Sequence, residues 1–268
     1  MLTSTQNPLV KQIRKLQGAR ERREQQLFLI EGTHLIQEAC AVNYPLIALC
    51  FTQTWQAHHQ ELCSIATGIC VGGASGFENR VELVSDDLMK AIATTVNPDG
   101  VIAIGSRLAT AQPPIPADLT LALSTIQDPG NLGTMIRTAA GVGANGLWVS
   151  KDSVDLDNPK VLRASAGQWF RLAMGVADNL HELVSSYKQQ GVQIISTTSH
   201  TETSYWDVDY RSPTLILLGN EGAGLSDELA ALADIQVKIP MEVTVESLNV
   251  ATAAALMLYE VRRQRSCL

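Results

Sequence analysis

The chain has 268 residues, 46% of them apolar and 18% charged, with a formal net charge of −7 and a mean hydropathy of +0.06. That length fits one large or two modest globular domains of ~100–200 residues, and the acidity argues against a surface that is basic all over for nucleic acid. No apolar run reaches the ~18–20 residues that span a bilayer, the start MLTSTQNPLVKQIRKLQ has no apolar signal segment, and five cysteines (Cys40, Cys50, Cys63, Cys70, Cys267) without a Cys-x-x-Cys pair argue for buried thiols over a zinc site or a disulfide framework. The expectation is a cytoplasmic protein with no metal and no membrane segment.

Asn7-Pro8 predicts a helix start, a capping side chain followed by proline at the first helical position. Leu9, Ile13 and Leu16 then recur at helical spacing. Lys11, Arg14, Lys15, Arg20, Arg22 and Arg23 crowd this region, a local basic surface able to hold phosphates on an acidic protein. The alternative is a solvated amphipathic face. Arg262, Arg263 and Arg265 form a second basic cluster near the C-terminus.

FLIEGTHLIQEAC predicts a strand, a glycine turn and a helix capped by Thr33. Further buried strands are predicted at 46–52, 68–73 and 100–105, with helices between them. Pro113, Pro114 and Pro116 then favour a stiff extended connector. The domains are therefore placed at 1–105 and 118–268, with a proline-rich linker at 106–117.

The second half begins with the apolar strand LTLALSTI. More strands are predicted at LWVS, RLAMGV, VQIISTT, TLILLG and IQVKIP, and a long helix at about 246–264 closes the chain. Alternating strands and helices argue for an α/β fold with a mostly parallel sheet covered on both faces.

Gly141-Val-Gly143-Ala-Asn-Gly146 matches G-x-G-x-x-G, but it closes a helix and opens a strand. A dinucleotide fingerprint needs the reverse order, so these glycines read as a helix end and turn. Three other segments follow strands of the second domain, at the edge where open α/β sheets bind ligands. They are DPGNLGTMIRTA, with Asn131 and Arg137; LLGNEGAGLS, with Gly219 and Glu221; and IPMEVTVESLNVATAAA, with Ser247 and Asn249. Taken singly, each is an ordinary glycine turn or helix cap. Together they describe a pocket in which backbone amides grip a ligand and a few side chains do chemistry.

These segments, in this order and spacing across about 118–264, resemble the three motifs of the SpoU (TrmH) family of the SPOUT superfamily. NPLVKQIRKL…RERREQQLFLIEG resembles that family's N-terminal RNA substrate-binding domain. The resemblance implies a knotted (trefoil) α/β methyltransferase domain, an L30e-like first domain, a homodimer, and S-adenosylmethionine-dependent methylation of a ribose 2′-hydroxyl in RNA, ribosomal RNA ahead of transfer RNA. It carries Gly219, Ile239, Leu248 and Thr197 over as cofactor contacts, and Asn131, Arg137, Glu221, Ser247 and Asn249 as catalytic residues. An arginine keeps its proton at neutral pH, so Arg137 is expected to stabilise charge on the 2′-oxygen from within a cleft; a buried ion pair with Glu221 or Asp128 is the competing reading. Val243 stands where the family usually has glycine. A β-branched residue avoids φ > 0, so a loop that needed such a conformation there would have to differ. That residue leaves a catalytically silent RNA-binding dimer as the alternative.

Overall fold

The structure, a computed structural model, describes residues 1–71, 80–107 and 111–266. The chain divides into two compact units: Met1–Thr110 with Asp155–Phe170, and Ala111–Val154 with Arg171–Leu268.

The first unit contains α1 (Pro8–Leu16), α2 (Ala19–Gln25), β1 (Leu27–Glu31), α3 (Thr33–Ala41), β2 (Leu46–Phe51), α4 (Gln53–His58), α5 (Gln60–Gly68), β3 (Arg80–Leu83), α6 (Asp86–Ile92) and β4 (Val101–Ser106). Asn7 caps α1 by accepting from the Leu9 amide at 2.8 Å, ahead of Pro8. The helix buries Leu9, Val10, Ile13 and Leu16 against β1, β2 and β4 and leaves Lys11, Arg14 and Lys15 exposed. The sheet order is β1-β4-β2-β3, with β4 antiparallel to both neighbours and only β2 and β3 parallel. The parallel expectation therefore fails here, because β4 returns along β2 instead of crossing over. The strand predicted at 68–73 is also corrected: α5 runs to Gly68 and Cys70 makes only an isolated bridge to Leu46, while Gly72 and Gly73 lie outside the described residues. Thr33 is the first residue of α3, not its cap; Gly32 takes the cap position at φ 101°.

Asp155–Phe170, with α8 (Pro159–Ala164) inside it, belongs to this unit through its side chains. Trp169 is buried against Phe28 with ring centres 4.6 Å apart. Asp155 takes Arg22, which corrects the phosphate-binding expectation for that arginine. Arg22 is 2% exposed, pairs with Asp155 at 2.9 Å and donates to the carbonyls of Leu16 and Gln17. Its guanidinium is consumed inside the unit, whereas Arg20 and Arg23 stay exposed. Cys40, Cys50, Cys63 and Cys70 are buried and form no disulfide, and burial first, then Glu82, pushes the Cys50 thiol up to about 12. Cys267 lies outside the described residues.

The second unit holds β5 (Leu119–Leu123), α7 (Pro129–Val142), β6 (Gly146–Ser150), β7 (Met174–Ala177), α9 (Leu180–Gln189), β8 (Gln193–Thr197), β9 (Thr214–Leu218), α10 (Asp227–Ala230), β10 (Ile235–Val237) and α11 (Val250–Ser266). Its six strands are parallel in the order β10-β8-β9-β5-β6-β7. β5 and β9 are buried throughout, as strands covered on both faces are. From β5 the chain builds outward to β6 and β7, then returns to the other side of β5. The order therefore reverses between β5 and β9, and a crevice opens beyond the carboxyl ends of strands at such a point.

Asp128 caps α7, its Oδ1 accepting from the amides of Gly130 and Asn131 at 2.6 and 2.9 Å. Gly143, at φ 79°, ends it in the left-handed conformation, so the G-x-G-x-x-G stretch is indeed a helix end. α11 packs against α7, and the C-terminal arginines serve this unit. Arg262 reaches the Val142 carbonyl, Arg263 pairs with Glu260, and Arg265 donates to the carbonyls of Tyr210, Asp118 and Ser212.

Candidate active site

A cleft of about 720 Å³ opens at the crevice, lined by Gln127, Asp128 and Asn131 after β5, Asn220 and Glu221 after β9, and Ser247, Leu248, Asn249 and Val250 at the start of α11. All three predicted segments thus meet in one place.

Glu221 is the hub. Its Oε1 accepts from the Asp128 amide at 3.2 Å and from Asn131 Nδ2 at 3.1 Å, and its Oε2 accepts from the Gln127 amide and from Asn220 Nδ2, each at 3.3 Å. Asn131 Oδ1 in turn accepts from Asn249 Nδ2 at 2.9 Å. Asn249 is a cap as well, its Oδ1 taking the amides of Ala251 and Thr252 at the head of α11. Burial alone raises the Glu221 carboxyl, but the hydrogen bonds from Asn131 and the backbone outweigh it and hold the group below its ordinary value. An ionised carboxylate is therefore fixed by donors from two loops, and one of those donors is fixed by the third.

The loop carrying Glu221 is drawn tight. Asn220 and Gly224 exchange backbone hydrogen bonds at 2.9 and 3.0 Å, and Asn220 Oδ1 accepts from the Gly222 and Ala223 amides, each at 2.9 Å. Gly219 is buried where a Cβ would collide with the backbone of Gly224 and Leu225. Glycine is needed here for close approach of two backbones, not for its φ.

Not every expected residue comes to the cleft. Thr197 and Ile239 are half-buried at the ends of β8 and β10 and do not line it. Arg137 does not line it either. Six residues beyond Asn131, it is turned about 240° around α7 and displaced ~9 Å along it, and it stands exposed beside Thr134 and Thr138. No hydrogen bond or ion pair holds Arg137 among the described residues, so the buried ion-pair reading fails as well. Val243 is fully exposed and is not among the residues with positive φ. The loop accepts a β-branched residue there without strain. Four residues that line the cleft were given no catalytic or cofactor role by sequence: Gln127, Asp128, Asn220 and Val250. Asp128 had a readable signal, an Asp-Pro helix start. The reach of the Asn220 side chain had none.

Chemically, the cleft offers two carboxylates, several amides and a hydroxyl, and its lining includes no histidine, cysteine, lysine or arginine. That composition, among the described residues, favours a cationic, hydrogen-bonding ligand.

The sequence comparisons agree with this site. The model of the SpoU rRNA Methylase family matches residues 118–259, and that of the MRM3-like substrate binding domain matches 7–103. An uncharacterised tRNA/rRNA methyltransferase of Synechocystis is 42% identical over 98% of this chain and 94% of its own length. The 23S rRNA (guanosine(2553)-2′-O)-methyltransferase RlmP of Bacillus subtilis is 32% identical over 97% of this chain and 98% of its own. Among solved structures, an AdoMet-bound rRNA methyltransferase of Sinorhizobium meliloti superimposes with a TM-score of 0.84 at 30% identity, covering 98% of this chain and 97% of that one. With the three motifs in one cleft and a family match over more than half of its length, the chain belongs to the SpoU rRNA methylase family.

Proposed function

We propose that this protein transfers a methyl group from S-adenosylmethionine to a ribose 2′-hydroxyl in structured RNA, ribosomal RNA in preference to transfer RNA, as a cytoplasmic homodimer. The observation that carries the reading is the network Glu221–Asn131–Asn249, which ties the three motif segments into one cleft. The ribosomal preference is supported by the full-length likeness to RlmP.

The cleft suits the cofactor. Its volume accommodates a nucleoside-sized ligand, and Asp128 and Glu221, with no basic residue in the lining, favour a sulfonium cation. S-adenosylmethionine supplies the methyl group and its own leaving group. Gly219 and Leu248 would hold it through backbone and apolar contact, and Thr197 and Ile239 are the further cofactor contacts that the family motifs imply. Asn131 and Asn249 position the ribose, Ser247 lies at the mouth, and Glu221 keeps both loops in register. In the transfer, the bond from the 2′-oxygen to the methyl carbon forms as the carbon–sulfur bond breaks, and the hydroxyl proton leaves to water. Arg137, exposed and unpaired on the helix that starts at the cleft, stabilises the developing oxyanion once RNA is seated.

The first unit supplies the RNA grip, with Lys11, Arg14 and Lys15 on one exposed face of α1 and Arg20 and Arg23 beyond it. Residues 1–105 act as the L30e-like substrate domain and 118–268, less the Asp155–Phe170 segment that packs with the first unit, as the catalytic domain, whose two cofactor loops the family's trefoil knot would hold together. For the dimer, support comes from the uncovered flank of α7 and α11, where Thr134 and Tyr259 are exposed and Thr138 half-buried over small residues. Since Val243 sits without strain, nothing specific favours a silent RNA-binding dimer. The test is to supply methyl-labelled cofactor with ribosomal and transfer RNA separately. Label in ribosomal RNA alone, in a nucleotide resistant to alkaline cleavage, is expected; label confined to transfer RNA would overturn the substrate preference.

A further inference from the structure

The residue with the least comfortable backbone at this edge of the sheet is Thr125. It takes φ 57°, a left-handed conformation that β-branched side chains rarely adopt. Such geometry persists only where its surroundings over-determine it, and it concentrates at functional sites.

Thr125 is held on every side. Its amide donates to Ser150 Oγ at 2.7 Å, and its Oγ1 donates to Asp152 Oδ2 at 2.8 Å. The next residue is fastened too, with the Ile126 amide on Ser153 Oγ at 3.0 Å and the Ile126 carbonyl accepting from the Val154 amide at 2.7 Å. The turn after β5 is thus fastened to the turn after β6. The Thr125 carbonyl accepts from Asn220 Nδ2 at 2.8 Å and from Gln127 Nε2 at 3.3 Å. Asn220 is the residue whose other side-chain atom gathers the Gly222 and Ala223 amides and whose neighbour is Glu221. A continuous path therefore runs from Asp152 through Thr125 and Asn220 to Glu221, Asn131 and Asn249. Asp152 and Thr125 line a second cleft, of about 560 Å³, while Asn220 and Gln127 line the first.

We infer that Thr125 is a positioning residue for methyl transfer: locked left-handed by Asp152 and Ser150, it presents its carbonyl to Asn220 and so sets the loop that carries Glu221. It touches neither the cofactor cleft nor the proposed ribose site. Hydrogen bonding of the Asp152 carboxylate by Ser150 first, and by Thr125, holds that group ionised and below its ordinary value, which suits it to anchor the hydroxyl.

The activity arm of the test rests on the methyl-transfer reading; the second arm does not. Thr125→Val keeps size and branching and removes the donor to Asp152, Thr125→Ser keeps the donor, and Asn220→Ala removes the far end of the strut. Expected for Thr125→Val is a kcat lower by about tenfold or more, with KM for RNA within about threefold of wild type. Thr125→Ser stays within about threefold, and Thr125→Val adds little to Asn220→Ala because both break one path. Independently of catalysis, hydrogen exchange at the Gly222 and Ala223 amides should quicken about tenfold in Thr125→Val and not in Thr125→Ser. A Thr125→Val protein with wild-type kcat and unchanged protection would overturn the inference, as would a Thr125→Ser protein damaged equally. Wild-type protein that transfers no methyl would sink the methyl-transfer reading, and the exchange arm would still decide the strut.

Discussion

Glu221 accepts from four N–H donors contributed by two loops. Glu221→Gln replaces one acceptor with a donor facing those groups. Leaving such partners unmatched costs about 1–3 kcal/mol, so kcat is expected to fall ~10–100-fold with a small change in melting temperature. The pH response has a definite sign. The folded-state value lies below the ordinary one, so the carboxylate's contribution is complete at neutral pH and is lost only as pH falls through that depressed value, below the ~4.3 of free glutamate. Wild type should keep its network at a pH where free glutamate is half protonated, and Glu221→Gln should lack this acid limb. Arg137 illustrates what residue type and spacing reveal by themselves. A lone guanidinium on an uncharged helix was legible as a residue to single out. Its direction was not, because six positions on a helix bring a side chain to a different flank from Asn131.

Among elements, the glycine loop after β9 depends on backbone approach. Gly219→Ala puts a Cβ into the backbone of Gly224 and Leu225, where no flexible side chain can yield. A loss of about 1–3 kcal/mol is expected, together with cofactor binding too weak to measure by calorimetry at micromolar protein; a protein that binds as wild type would show that the loop adapts. In the first unit, Arg22→Met strands Asp155 inside the core and should cost ~3–5 kcal/mol, while adding Asp155→Leu should recover most of it in denaturant titration. The parallel strands of the second unit were legible because most are largely apolar runs bounded by turns. β3 was not, since Arg80–Leu83 alternates charged and apolar residues over only four positions. The antiparallel return of β4 was hidden for a different reason: an apolar run carries no direction. Nor does local sequence say that Asp155–Phe170 packs with the first unit, since its anchors Arg22 and Phe28 stand more than a hundred residues away in the chain.

For the whole molecule, an acidic chain binds RNA only if its basic residues are gathered, and α1 gathers Lys11, Arg14 and Lys15 on one exposed face. The cleft in the second unit brings no basic side chain of its own. On the proposed function, phosphate affinity and chemistry would fall to different parts of the chain. The central claim is that the cleft at β5 and β9 performs 2′-O-methylation and that Arg137, on a different flank of α7 from Asn131, is needed for transfer but not for cofactor binding or folding. The decisive measurement is single-turnover transfer of labelled methyl to ribosomal RNA by wild type and by Arg137→Ala, with cofactor affinity and melting temperature taken on the same samples. Wild type is predicted to place label in an alkali-resistant dinucleotide. Arg137 is exposed and unpaired, so its alanine variant should bind cofactor and melt as wild type does, within about 0.5 kcal/mol, while transferring ~10²–10³-fold more slowly. Label on a base instead of the ribose, or an alanine variant as fast as wild type, would contradict the account.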